Sequence, residues 1–177
     1  MRRVLELHRD CARGAVQRLE VIVERPTPQR LVLRYALAGD LDQLRVPAPG
    51  VPARADELWR STCFEAFLRR DDEPGYLEFN FAPSHEWAAY GFAGYREGMR
   101  VADQIPAPRL ASARTGQGYE LTASLDLSAA ANTPWRLAVS AVIEEAGGGK
   151  SYWALAHPPG RPDFHHPESF VLDLAAP

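Results

Sequence analysis

The sequence predicts one all-β domain over residues 1–177, an antiparallel β-sandwich with little helix. Short runs of alternating apolar and polar residues recur along the chain, and clusters of proline, glycine and asparagine separate them. Their spacing is typical of a sandwich with about nine to eleven strands. No segment repeats with a period of about 20 to 50 residues, which excludes solenoids and propellers.

The alternation is clearest in four runs, which are Leu31–Leu37, Tyr76–Ala82, Tyr119–Asp126 and Trp135–Glu144. In the second run, Glu78 and Asn80 fall on the face opposite Phe79. Because strand side chains alternate between faces, each run is expected to have one core face and one wetter face. A glycine-rich segment, Gly147–Lys150, is expected to form a hairpin turn after the fourth run.

Helical signals are few. A short turn is expected around Leu127–Ala131 with Ser128 as its cap, and Glu86–Tyr95 is a second candidate helix. The proline-rich stretch Leu41–Leu58 is expected to form a long loop.

Charge and composition exclude several classes of protein. The net charge is −3, so the sequence lacks the excess of positive charge that is typical of nucleic-acid-binding proteins, and we expect no nucleic-acid partner. No apolar run approaches the ~20 residues of a transmembrane helix, so we expect no membrane partner. Glu6, His8 and Arg9 interrupt any apolar export signal, and a cytoplasmic location is the expectation. The two cysteines, Cys11 and Cys63, are expected to be unpaired thiols.

Two segments together carry a resemblance to a known family. The first is Leu58-Trp59-Arg60-Ser61-Thr62-Cys63-Phe64-Glu65-Ala66-Phe67-Leu68, and the second is Gly75-Tyr76-Leu77-Glu78-Phe79-Asn80-Phe81-Ala82-Pro83, followed by Glu86-Trp87. This pattern resembles the DOMON-like superfamily, which includes the family 9 carbohydrate-binding modules, and within it a bacterial group without assigned chemistry. The tail from Tyr152 to Phe170 resembles the closing strands of that group, so the likeness runs from about Leu5 to Leu174.

The resemblance implies a single DOMON-like sandwich domain that binds a small ligand, a sugar or haem, against one sheet face. In the sugar-binding modules, a tryptophan at the position of Trp59 forms one wall of an aromatic sandwich. A glutamate at the position of Glu65 hydrogen-bonds the sugar hydroxyls. Trp153 is the candidate for the second wall, and Glu78, Asn80 and Arg96 are candidates for further polar contacts. The expected function is a non-catalytic ligand-binding module, first of all for a carbohydrate.

Each of these residues also has a plainer interpretation. Trp59 is equally a core anchor at a strand entrance. Glu78 and Asn80 are first interpreted as part of a solvated outer face, or as partners of Arg34, Arg69 or Arg96. A straight strand would separate Trp59 from Glu65 by about 20 Å. Contact of both with one monosaccharide therefore requires a bend near Ser61–Thr62.

Two alternatives involve the histidines, and a third is a scaffold that acts through protein contacts. Haem needs an axial histidine or methionine, and the candidates are Met99, His85, His157, His165 and His166. The chain has no CxxCH motif, and no cofactor is predicted. A metal-dependent enzyme would use the weak candidate ligands His157, Asp163, His165 and His166, whose spacing matches no well-known motif.

Overall fold

The computed structural model describes residues 1–71, 73–128 and 134–175, and this part of the chain is almost entirely β. Eleven of its strands have three or more residues, which confirms the predicted all-β class. The strands are β1 (Arg2–Leu7), β2 (Val16–Thr27), β3 (Arg30–Gly39), β4 (Ala53–Arg54), β5 (Cys63–Arg69), β6 (Tyr76–Phe81), β7 (Glu86–Phe92), β8 (Arg100–Val101), β9 (Arg109–Thr115), β10 (Gly118–Asp126), β11 (Trp135–Glu144), β12 (Lys150–Ala154) and β13 (Leu172–Leu174). Short 3₁₀ helices lie at Leu41–Gln43, Leu58–Arg60 and Pro167–Ser169.

The strands form one hydrogen-bonded sheet that curls into two layers. Layer A has the order β1-β2-β3-β10-β9, and layer B has the order β4-β7-β6-β5-β11-β12-β1. Neighbours along this path are antiparallel except for β4 and β7, which are parallel. Strand β1 belongs to both layers, since Arg2–Leu5 pairs with β2 whereas Glu6 and Leu7 pair with β12. Strands β8 and β13 add to β7 and β11.

The main core lies between the two layers. Tyr35 of layer A packs against Phe64 of layer B with ring centroids 5.0 Å apart, and Phe64 stacks on Tyr119. The Tyr35 hydroxyl donates a 2.9 Å hydrogen bond to the backbone carbonyl of Glu65, which satisfies its polar atom inside this core. The predicted inward face of β3 is confirmed, because Leu31, Leu33, Tyr35 and Leu37 are all buried.

Layer B is buried on its second face as well. A separate aromatic cluster lies there, and it includes Phe67, Tyr76, Tyr90, Phe92, Phe164 and Phe170. The last two residues come from the segment that follows β12 and crosses over the sheet. Strands β5, β6 and β7 therefore have buried side chains on both faces, unlike β3 and β10.

The candidate helix at Glu86–Tyr95 is wrong, and this two-sided burial explains why the sequence left it open beside a loop or connecting strand. Its first seven residues, Glu86–Phe92, form strand β7, paired with β6 from Tyr76↔Phe92 to Phe81↔Trp87. Its apolar and small residues occupy both faces, so the polar alternation that marks a half-buried strand is absent.

The remaining predicted elements have mixed outcomes. The hairpin turn at Gly147–Lys150 is confirmed, since β11 and β12 pair on either side of it. The loop at Leu41–Leu58 is confirmed over most of its length. The turn expected at Leu127–Ala131 falls largely outside the described residues, which end at Ser128 and resume at residue 134. No helix in the described part of the chain has the length and apolarity of a membrane span.

Candidate functional site on the outer face of layer B

A cavity of about 460 Å³ opens on the outer face of layer B, beside the second aromatic cluster. Its polar and charged lining consists of Arg60, Glu65, Glu78, Arg96, Lys150 and His165. Its aromatic lining consists of Trp59, Phe92, Tyr152 and Phe164. The sequence-predicted residues Trp59, Glu65, Glu78 and Arg96 are thus brought to one cavity.

The strand register places the polar floor. Glu65 of β5 is opposite Asn80 of β6, and Phe67 is opposite Glu78. Because side chains two residues apart share a face, Glu65 and Glu78 are diagonal neighbours on the outer side. On the other side of β5, Ser140 of β11 is opposite Glu65. The alternation of side chains that indicates strands in the sequence therefore also places Glu65 and Glu78 together on the cavity floor.

Both floor carboxyl groups are buried and have hydrogen-bond donors from the chain. Glu65 is 3% exposed and accepts a 3.1 Å hydrogen bond from the Ser140 hydroxyl. Glu78 is 5% exposed and accepts a 2.7 Å hydrogen bond from the Asn80 amide nitrogen. Asn80 itself is fully buried behind the cavity and positions Glu78. Neither glutamate belongs to a solvated outer face.

Burial favours the protonated form of both groups. It raises the pKa of Glu65 to about 8, with a further contribution from the nearby Glu78 carboxylate. It raises the pKa of Glu78 to about 7, and the Asn80 hydrogen bond and the Arg96 charge oppose this rise. Near neutral pH Glu65 is therefore mainly a carboxylic acid that can donate a hydrogen bond as well as accept one, whereas Glu78 is partly ionised.

Trp59 reaches the same cavity because the chain bends just before strand β5, as contact of both Trp59 and Glu65 with one ligand requires. The residue lies in the 3₁₀ helix Leu58–Arg60, and strand β5 begins only at Cys63. The bend starts at Glu57, whose φ of 59° is left-handed and uncommon for a residue other than glycine. The Trp59 ring meets the Tyr90 ring edge-on at 6.2 Å. Its side chain remains 37% exposed, so it is a cavity wall and not a core anchor.

Arg96 occupies another left-handed position, with a φ of 55°. Its backbone N–H donates a 3.2 Å hydrogen bond to the Tyr76 hydroxyl, and its guanidinium donates a 2.7 Å hydrogen bond to Asp163. Tyr95 also donates a hydrogen bond to Asp163. Burial alone would raise the pKa of Asp163, but these donors outweigh it and hold that pKa below its usual value. Asp163 therefore stays charged and orients the Arg96 side chain.

His165 lies on the aromatic cluster with its ring near Phe67, Tyr76 and Phe92. Its Nδ1 is 2.7 Å from the Tyr76 hydroxyl, and its Nε2 is 3.8 Å from a Glu78 carboxyl oxygen, too long for a hydrogen bond. Burial, followed by the Arg96 charge, lowers the pKa of His165 to about 4. The imidazole is therefore neutral near pH 7.

The Tyr76 hydroxyl joins two sides of this site, and its removal should be measurable. We expect Tyr76→Phe to lower the free energy of unfolding by about 1 to 3 kcal/mol, because it deprives His165 Nδ1 and the Arg96 N–H of their shared partner. Urea denaturation measures the change. Tyr152→Phe is the matched control, since no hydrogen bond of its hydroxyl is seen within the described residues. Equal stability of Tyr76→Phe and the wild type would contradict the bridging role.

Other candidates lie elsewhere. Trp153 faces the main core, where it is 7% exposed and its indole N–H donates a 2.9 Å hydrogen bond to the Ser151 hydroxyl. The cavity instead receives the adjacent Tyr152, which the sequence analysis did not select. Adjacent side chains of a strand point to opposite faces, so Trp153 in the core places Tyr152 on the cavity side of β12.

The histidines are also dispersed. His157 Nε2 is 2.8 Å from the Glu6 carbonyl, and His85 Nε2 is 2.9 Å from the Ser112 hydroxyl. The Nδ1 of His166 accepts a hydrogen bond from the Glu168 N–H at the start of Pro167–Ser169. Within residues 1–71, 73–128 and 134–175, no three histidine, cysteine, aspartate or glutamate side chains are arranged to hold a metal ion. The four predicted metal candidates therefore do not form a centre there.

Comparison with known proteins supports the fold. No family model matches the chain, and no curated protein matches it. Among solved structures, it is similar to a protein from Bacteroides uniformis ATCC 8492 that is provisionally assigned as carbohydrate-binding. The TM-score is 0.67 at 15% identity, over 96% of this chain and 84% of that chain. A likeness at this level of identity shows a common fold.

Proposed function

We propose that this chain is a non-catalytic carbohydrate-binding module of the DOMON-like type, with the cavity on layer B as its binding site. The observation that carries the proposal is the combination of an exposed indole wall with a buried, hydrogen-bonding floor. Trp59 is 37% exposed at the cavity, whereas Glu65 and Glu78 are 3% and 5% exposed on its floor. A sugar ring presents C–H groups to an aromatic face and hydroxyl groups to polar neighbours, which fits both surfaces.

The other lining residues fit the same assignment. Tyr152 supplies a second aromatic surface in place of Trp153, and Arg96 supplies fixed donors. The volume of about 460 Å³ is within the range of small-molecule sites. The likeness to a provisionally assigned carbohydrate-binding protein is consistent with a sugar ligand.

Calorimetric titration with a panel of monosaccharides and disaccharides tests the proposal. For a saccharide that binds, we expect Trp59→Ala to weaken the affinity by about 30-fold, as loss of an aromatic anchor of ~2 kcal/mol would. Val51→Ala is the matched control, because Val51 is 86% exposed and lies outside the cavity lining. Unchanged affinity in Trp59→Ala, or no binding of any saccharide, would overturn the proposal.

Haem is the second ligand to be tested at this cavity, because Met99 and His165 both line it. The donor set fits a porphyrin poorly. The Glu65 and Glu78 carboxyl groups form a polar floor, whereas a porphyrin face needs apolar contacts. We therefore expect no Soret band when haemin is added, and a band lost in His165→Ala would favour haem over a sugar.

A further inference from the structure

The cavity is lined by three basic side chains, Arg60, Arg96 and Lys150. Arg60 pairs with Glu57 at 2.7 Å, and Arg96 pairs with Asp163 at the same distance. Lys150 differs from both, because its ammonium group has no hydrogen bond or ion pair to the described residues. It is also the sole lysine among the 20 basic residues of the sequence. An unpaired cation therefore stands at the cavity.

The acidic side chains at the cavity do not fully neutralise these cations. Glu65 and Glu78 lie under the surface, where Ser140 and Asn80 already donate to them. Burial keeps Glu65 mainly uncharged near neutral pH and leaves Glu78 only partly ionised. The Asp163 carboxylate pairs with Arg96 and not with Arg60 or Lys150. The cavity thus combines a net positive rim with a floor that donates hydrogen bonds.

A neutral sugar would leave this charge unmatched. A carboxylate would pair with the Lys150 ammonium and with the part of the Arg96 guanidinium that Asp163 does not occupy. The Glu65 carboxylic acid on the floor would donate to an oxygen atom of the same ligand, which a carboxylate could not do.

We propose that the site selects an acidic saccharide, a sugar unit that carries a carboxylate, and that Lys150 is the residue that determines this selectivity. The inference rests on the carbohydrate-binding function proposed above. The ring of the sugar stacks on Trp59, and its carboxylate faces Lys150 and Arg96.

Titration calorimetry at neutral pH with glucuronate, its neutral methyl ester, glucose and acetate tests the inference. We expect glucuronate to bind more tightly than the ester and glucose, and acetate not to bind. Lys150→Gln should weaken glucuronate binding about fivefold, as loss of one partly solvated ion pair does, and should leave the ester unaffected. High salt should weaken glucuronate binding in the wild type.

Arg18→Gln is the matched control, because it removes the same charge from layer A, outside the cavity lining. Equal affinity for glucuronate, ester and glucose would overturn the acidic selectivity while carbohydrate binding stands. Binding of acetate as tight as that of glucuronate would overturn it in favour of a simple anion site. Absence of binding by all sugars would overturn both this inference and the proposed function.

Discussion

The folded protein should lose about 2 kcal/mol of stability as the pH rises from 6.5 to 8, because the folded state keeps a proton on a buried carboxyl group that the unfolded state has released. The pKa of Glu65 is about 8 in the folded state against 4.5 for an ordinary glutamate. One pKa unit corresponds to ~1.4 kcal/mol, so this interval alone contributes roughly 2 kcal/mol. Glu78, with a pKa of about 7, adds a smaller loss of the same sign.

The direction of this pH dependence follows from the number of protons that the folded and unfolded states each bind. Between pH 4.5 and about 8 the folded state keeps a proton on Glu65 that the unfolded state has released, so rising pH favours unfolding. His165 acts in the opposite sense between about pH 4 and 6.5, because only the unfolded state is protonated there. The two effects offset each other below pH 6.5, and the loss becomes visible above it.

Glu65→Gln should remove most of this dependence, since glutamine keeps an oxygen acceptor for Ser140 and does not ionise. Urea denaturation at pH 6.5 and above pH 8 measures the effect, and the variant should be the more stable protein only at the higher pH. Glu120→Gln is the control, because Glu120 is exposed on layer A. An equal pH dependence in wild type and Glu65→Gln would show that Glu65 ionises freely in the folded protein.

Phe67→Ala should destabilise the protein by about 3 to 5 kcal/mol, because it empties the centre of the second aromatic cluster. The Phe67 side chain is 1% exposed and contacts the rings of His165 and Phe170. Such a loss is a large part of the ~5 to 15 kcal/mol that stabilises an ordinary domain. Denaturation midpoints measure it.

The same substitution should also weaken ligand binding, since Phe67 supports the ring of His165 at the cavity. Val171→Ala, in the segment after β12, is the control, because Val171 is 53% exposed and its substitution should change stability by no more than about 0.5 kcal/mol. A stability loss in Phe67→Ala below that of an ordinary surface substitution would show that the segment after β12 is not part of the folded core.

The features that the sequence predicts correctly are those that follow from the alternation of side chains along a strand, which repeats every two residues. Alternation in Leu31–Leu37 and Tyr119–Asp126 indicates strands, and the same period puts Glu78 and Asn80 on one face. It does not specify which face of a strand meets the ligand. The resemblance implies Trp153 as the second wall, but the alternation along β12 places Trp153 in the core and its neighbour Tyr152 in the cavity lining.

The parts that sequence reasoning missed depend on tertiary contacts. Segment Glu86–Tyr95 lacks the alternation of a half-buried strand, because a strand that is covered on both faces needs no polar residues. The cavity contribution of His165 depends on a hydrogen bond to Tyr76, which is 89 residues away in the chain. The separation of His157 from His165 depends on where the segment after β12 crosses the sheet, which residue spacing does not encode.

Because β1 pairs with both layers, it should tolerate insertions and deletions poorly. Leu5 pairs with Leu19 in layer A, and the next residue, Glu6, pairs with Ala154 in layer B. An insertion of one residue between them would reverse the inward and outward sides of everything that follows in the strand. We therefore expect that related chains vary in length at the turns and keep the six residues of β1 free of insertions and deletions.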